Sequence, residues 1–526
     1  MKRGATGPGF NVSFGAVLAT ALAIVAPDAT AQQVTVTARD GSISLSGEML
    51  GFDGEYFRLQ TVHGELTLRL SDVVCDGAAC PDPADYVPLL SMSGGDRMAG
   101  EILPALIGAF SAGLGLTVSE DQDVDGWRLV TLSDLDGRMF ARIRLRGGGT
   151  EAGLDDLIAG QSDMLLAGRV LTDDEIAAAR AAGLGRLDTA GRVRVLAYDA
   201  FIPVAAPGQP VGSIGQAELA QVLSGSITGW AALGGPDIPI RVYLADDGDG
   251  QVQGLLNSLL GMAAPSPPNA RLGDVTTQAA LIAADSGGLG LLPFDRFGEN
   301  QPLILRDSCG LRSIPRPANV RTGDYPLTAP LYLYRPMRRL SPVGQAFLDW
   351  LSGAEAQLTL RRLNLLGADA VPIPLEQQGE RLAAAIANAG PEVTLAELQR
   401  MVATLAPLVR LTHTFRFQDG STELEPAARS NVLQLAHSLA TGRHAGQRVV
   451  FVGFSDGRGP AGANRDLSAA RAEEVRREVL AALGDIVPPG VTFEVEAFGE
   501  ALPMGCDETR WGQRMNRRVE LWVSGG

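Results

Sequence analysis

A short strand, a glycine-broken loop and a helix with one charge in its apolar row place the tightest constraint on this chain. The stretch runs from Val449 to Leu483. Val449 to Phe454 is a valine-rich apolar run, the pattern of a buried strand. Gly457, Gly459, Pro460 and Gly462 then predict a loop that neither helix nor strand continues through. A helical pattern begins at Asp466, with Leu467, Val475, Val479 and Leu483 on one face. Arg471 falls in that same row, where a guanidinium is costly unless an anion meets it. Residue types alone leave two readings. Asp456 at the strand end can close a structural salt bridge with Arg471, or Asp456 can take a ligand ammonium while Arg471 forks onto a ligand carboxylate.

The order of residues extends well beyond this stretch. Phe451-Val-Gly-Phe-Ser-Asp456-Gly-Arg-Gly is followed by Asn464, Leu467-Ser468, Arg471-Ala472, Gly499-Glu500, Pro503 and Asn516-Arg517-Arg518-Val519. This pattern, over about Leu411 to Val523, resembles the OmpA-like peptidoglycan-binding domain. The resemblance implies that Asp456 and Arg471 hold the diaminopimelate of the peptidoglycan stem peptide, with Asn464, Asn516 and Arg517 lining the site. Gly453-Phe-Ser455-Asp-Gly457 also matches the serine-hydrolase elbow. A glycine-proline loop follows it where the elbow needs a helix, and no histidine follows Ser455, so the match is chance.

At 526 residues the chain exceeds one core, and about three domains are expected. The formal net charge of -16 argues against nucleic acid as a partner and against an anionic membrane surface. Lys2 and Arg3, an apolar run from Val12 to Ala26 and Ala29-Thr30-Ala31 read as a signal peptide over 1–31. Residues 32–84 alternate apolar and polar, with turns at Asp40-Gly41, Asp53-Gly54 and His63-Gly64, so a small antiparallel β-module is expected. Four cysteines in an exported chain point to disulfides. Cys75 and Cys80 bracket a loop short enough to close. Cys309 and Cys506 remain, either as a bridge between domains or as free thiols. The four histidines are scattered without metal-ligand spacing, and neither a metal nor a cofactor is expected.

From 85 to 375 strands alternate with helices, the signature of a two-lobed α/β domain. Three glycine-rich turns lead from strand to helix: Gly94-Gly95-Asp96-Arg97, Gly147-Gly148-Gly149-Thr150, and Asp246-Asp247-Gly248-Asp249-Gly250. Such turns aim backbone N–H groups and helix N-termini at a common cleft, which suits an anion. Gly148-Gly149-Thr150 with Leu157-Ile-Ala-Gly160-Gln-Ser-Asp163, Leu223-Ser-Gly225-Ser-Ile-Thr-Gly-Trp230, Gly287-Gly-Leu-Gly290 and Tyr325-Pro-Leu327 resemble the phosphate-binding periplasmic proteins of the PstS type. That resemblance implies a type II periplasmic-binding-protein fold with an anion site, for which the candidates here are Gly95, Asp96, Arg97, Gly149, Thr150, Asp163, Arg169, Asp249 and Gly250, although Asp96 and Arg97 stand where the family has serine and threonine. The third turn departs from the family, because its aspartates would repel a phosphate dianion unless protonated or metal-bound. Arg97 and Arg169 can restore positive charge. Phosphate or another small oxyanion, an amino-bearing ligand, a metal at the aspartates, and no small ligand all stay open.

The sequence thus predicts a multidomain α/β chain: signal peptide 1–31, β-module 32–84, binding domain 85–375, helical connector 376–410 and a β-α-β-α-β-β domain over 411–526. The expected function is non-enzymatic. The chain would dock on peptidoglycan in the periplasm, at the outer-membrane side of the envelope, and present a solute receptor with an ABC transporter or envelope protein as a possible partner. The alternative is a wall-anchored scaffold whose middle domain recognises a protein or polymer.

Overall fold

The computed structural model describes residues 33–83, 85–122, 124–245, 250–260, 270–272, 275–387, 389–390, 392–418 and 421–525. The expected signal peptide, and Asp246 to Asp249 of the acidic turn, lie outside the described residues.

The chain separates into two compact units, residues 1–86 and 87–526. In the first, five antiparallel strands form one sheet, in the order Gly64–Arg69, Tyr56–Thr61, Ser44–Phe52, Gln33–Ala38, Val73–Asp76. Its core is small: Val34, Val36, Phe57, Leu59 and Val73. So small an apolar core gains from a covalent staple. Cys75 and Cys80 supply one, with their Cα atoms 5.8 Å apart.

The second unit contains two large sheets. The first runs Ala270–Leu272, Arg241–Ala245, Gly288–Pro293, Val193–Ala205, Thr328–Tyr334, Met164–Ala167, Leu89–Gly94, Met139–Arg146, Arg128–Ser133, Thr117–Gln122. Val193–Ala205 is buried along almost its whole length, as suits a mostly apolar strand, with Arg194 and Asp199 its two charged residues. One half pairs with Thr328–Tyr334 and the other with Gly288–Pro293, so this strand joins the two lobes. The first turn leads into a helical stretch whose Met98, Ile102, Leu106 and Phe110 are all buried, as their spacing predicts.

The last sheet has the order Pro372–Ile373, Leu408–Arg416, Arg518–Ser524, Arg448–Phe454, Thr492–Ala497. Helices Pro426–Ala440 and Ala461–Leu483 cover one face, over Phe415, Phe451, Val475 and Leu521. The connector helices Gly379–Ala387 and Leu395–Leu405 cover the other, through Leu398, Met401, Val450, Val452 and Trp522. The connector is therefore part of this domain's core. The long helix starts at Ala461, five residues before the expected Asp466, and includes Gly462. Pro460 stands at its N-cap, where a missing N–H costs nothing, and the Glu392 carboxylate accepts from Ala461 N–H at 2.6 Å.

The C-terminal and middle domains share buried contacts. Ser430 Oγ accepts from Val195 N–H at 2.9 Å, and Tyr198 Oη donates to Asn431 Oδ1 at 3.3 Å. Both acceptors stand on helix Pro426–Ala440, which thus packs against the strand linking the lobes. Asp324 accepts from Arg410 at 2.9 Å and from Arg416 at 2.7 Å across the same junction. A second disulfide, Cys309–Cys506, also crosses it, and settles the open question about these two cysteines.

Candidate functional site

The strand Arg448–Phe454 and the helix beginning at Ala461 approach so closely at Gly453 that a Cβ there would lie 2.0 Å from the Ser468 carbonyl oxygen. Glycine at 453 lets the helix lie on the strand, and this brings Arg471 beneath the strand end that carries Asp456. Asp456 Oδ2 pairs with Arg517 Nη1 at 3.2 Å, while Oδ1 accepts from Arg458 N–H at 3.2 Å. The salt bridge between Asp456 and Arg471 allowed by the residue types does not form.

Arg471 is only 7 % exposed, and among the described residues Nε and Nη1 meet no acceptor. Its one packing partner of note is the Phe417 ring, 5.4 Å from the guanidinium carbon. Burial, together with the nearby Arg517, pulls its pKa down, and Asp456 opposes the shift. The guanidinium fork and the partly covered carboxylate set opposite charges side by side.

The other expected residues of this site surround that pair in different ways. Asn464 donates to Glu500 and, at 3.4 Å, to the Gly459 carbonyl. Asn516 uses its whole amide internally: Oδ1 accepts from Met504 and Gly505 N–H, and Nδ2 donates to Gly505 O and Asp507 Oδ1. It therefore shapes the loop behind Arg517. Phe417 and Asp507 escaped the sequence reading. Neither carries a local signal, since each acts through partners far away in the chain.

The middle-domain cleft is built differently. Gly95 follows the strand Leu89–Gly94, helix Gly149–Ile158 starts at the second turn, and Arg169 follows Met164–Ala167. Asp96 Oδ1 accepts from Gly148 N–H at 2.7 Å, so a backbone donor suited to an anion is already engaged. Arg97 pairs with the buried Asp199 at 2.6 Å. Arg169 forks onto Glu175 with two contacts of 2.8 Å. Thr150 Oγ1 accepts from Gly168 N–H at 3.1 Å. Gly250, at φ +80°, lies so near that an added Cβ would sit 2.9 Å from Thr150 Oγ1. The turn at Gly250 thus meets Thr150 directly.

Asp163 is not brought to this group. It precedes the strand Met164–Ala167, which runs parallel to Leu89–Gly94 with Met164 beside Met92. Asp163 Oδ2 accepts from Ser91 N–H at 2.9 Å. It therefore sits roughly 16 Å along the strand from Gly168, at the opposite end. Burial raises its pKa against the Ser91 N–H and the charges of Arg338 and Arg144. Asp249 lies outside the described residues, and with it the metal reading of the acidic turn.

Residues 140–355 match the PBP superfamily domain, and residues 416–517 match the OmpA family. The chain joins a PBP-like domain to a C-terminal OmpA domain. Protein SphX of Synechococcus elongatus is 26% identical over 197 residues, 35% of this chain and 57% of that protein. The peptidoglycan-associated lipoprotein of Pseudomonas aeruginosa is 36% identical over 115 residues, 22% of this chain and 63% of that protein. The chain thus spans less than two thirds of either relative. An ABC-type phosphate transport receptor from Vibrio cholerae aligns at 16% identity and a TM-score of 0.41, over 53% of this chain and 99% of that one. The OmpA match contains Asp456, Asn464, Arg471, Asn516 and Arg517, and the PBP match contains the second and third glycine-rich turns. Both families are binding proteins. Among the described residues, no helix is long and apolar enough to cross a membrane.

Proposed function

We propose that the chain is an exported envelope protein that grips peptidoglycan non-covalently through its OmpA domain and presents a phosphate-type solute-binding domain in the periplasm, at the outer-membrane side. The observation that carries this reading is Arg471, a buried guanidinium beside Asp456 whose Nε and Nη1 meet no acceptor among the described residues. Diaminopimelate in a stem peptide offers an ammonium and a carboxylate on one carbon, which match Asp456 and Arg471 in charge and order. The likeness to a peptidoglycan-associated lipoprotein supports the same ligand. Asp456→Ala and Arg471→Ala should each abolish sedimentation with purified peptidoglycan while the folded chain persists. If both variants still pellet, the assignment falls.

For the PBP domain one group of contacts favours the second reading, a scaffold gripping a protein or polymer. Gly148 N–H, Arg97 and Arg169 are engaged by Asp96, Asp199 and Glu175. A phosphate entering the cleft would have to displace carboxylates already in place. Calorimetric titration of phosphate into the ligand-stripped full chain, with sulfate and calcium as comparators, separates the readings. Saturable phosphate binding identifies a receptor, and binding that needs calcium gives the acidic turn a metal. Heat from neither identifies the scaffold.

A further inference from the structure

A turn of the middle domain meets the loop that flanks the wall site. Between Ile304–Arg306 and Arg312–Ser313 the chain bends at Asp307, whose Oδ1 accepts from Cys309 N–H at 3.0 Å and Leu311 N–H at 2.8 Å. Its other oxygen crosses to the OmpA domain and accepts from Cys506 N–H at 2.8 Å. Cys309 and Cys506 are disulfide-bonded, with Cα atoms 5.5 Å apart and 197 residues between them in sequence. The next residue, Asp507, faces the wall site. Its Oδ2 accepts from Gly457 N–H at 2.8 Å, and its Oδ1 accepts from Asn516 Nδ2 at 2.7 Å. Gly457 directly follows Asp456, and Asn516 directly precedes Arg517. One carboxylate therefore holds the Gly457 backbone on one side of the Asp456–Arg517 pair and the Asn516 side chain on the other. A Cβ on Gly457 would lie 2.7 Å from Asp507 Oδ2, so this approach requires glycine.

We infer that Asp507 is a positioning residue for the wall site, and that the Asp307 turn with its disulfide is a strut by which the PBP domain fixes the site's shape. This rests on the reading of Asp456 and Arg471 as the peptidoglycan site. The segment from Leu502 to Thr509 lies between strand Thr492–Ala497 and helix Arg510–Asn516 and has no sheet ladder of its own. Such a segment samples many conformations unless tied down, and a ligand that must order it binds more weakly. Asn516 ties Met504 and Gly505 from within the OmpA domain, and at Cys506 a further tie comes from another domain. Wall binding by the OmpA domain is then a property of the joined, oxidised chain.

The test uses the full chain and a soluble stem peptide containing diaminopimelate, titrated well below the melting temperature. Reduced wild type, the double variant C309S/C506S and Asp507→Ala should each bind about tenfold more weakly than oxidised wild type, the loss expected for a charge-assisted hydrogen bond or two. Asp507→Asn keeps an acceptor for Gly457 and should lose less. Hydrogen exchange without ligand gives a second readout, which general destabilisation would not single out. The Gly457 amide should lose protection in the weakened forms while Val450 and Val452 keep theirs. Unchanged affinity and unchanged Gly457 protection on reduction would overturn the strut. If Asp456→Ala and Arg471→Ala bind like wild type, the wall reading fails instead, and Gly457 protection still judges the strut separately.

Discussion

His413 shows how one buried residue sets a pH response. It lies on strand Leu408–Arg416, 2 % exposed, with Nε2 3.2 Å from the Ala368 carbonyl. That contact makes Nε2 the protonated nitrogen, and Nδ1 has no partner. Burial pushes its pKa down from 6.5 to about 4, against the Ala368 carbonyl and Asp369. Between those values the unfolded chain binds the proton and the folded chain does not. The stability that His413 governs therefore falls as pH drops from about 6.5 to about 4, by roughly 3 kcal/mol at most, and this residue adds no further loss below. Thermal melts across that range should show this slope, and His413→Gln should remove most of it. His444, whose pKa burial also lowers, contributes in the same direction. An unchanged slope in His413→Gln would assign the effect elsewhere.

Elements were legible in the sequence wherever one periodicity ran unbroken. Helix Pro426–Ala440 has ends that its residues mark, because Pro426 opens it and Thr441-Gly442 closes it. The strand before Asp456 and the hairpin turns at Gly41, Gly54 and Gly64, all at positive φ, were equally plain. The start of the long helix was not, because the Glu392 carboxylate that caps it comes from the connector. Nor was the packing of the connector, whose apolar positions declare a buried face without naming what covers it. The same limit applied in the candidate sites. Arg471 stood out as a charge in an apolar row, whereas its missing acceptor depends on Asp456 turning to Arg517. Asp163 was misplaced for the opposite reason. The family resemblance implied a cleft residue, but the strand's direction puts it at the far end of the strand.

Across the whole second unit, a buried charge network makes the two domains interdependent. Asp324 and Glu520 face Arg381, Arg410, Arg416 and Arg518, all buried or nearly so. Burial alone would raise both carboxyl pKa values. The surrounding arginines override it, holding Asp324 below the usual carboxylate range and bringing Glu520 to about 2. Folded pKa values lowered in this way stabilise the chain above the unfolded carboxylate range, and the gain is lost as pH falls toward the folded values. Asp324 comes from the PBP domain, while Arg410 and Arg416 come from the OmpA sheet. Asp324→Ala would leave Arg416 buried at the junction without its carboxylate and Arg410 with Glu520 alone, at a cost of about 3–5 kcal/mol. Asp324→Asn keeps the shape and removes only the charge. With the junction intact, calorimetry of the oxidised chain should show the PBP and OmpA domains melting in one transition. Asp324→Ala should split it into two, the Cys309–Cys506 bond keeping the separated domains tethered. A single transition at the wild-type temperature would mean that helix Pro426–Ala440 on the lobe-linking strand is sufficient to hold the domains together.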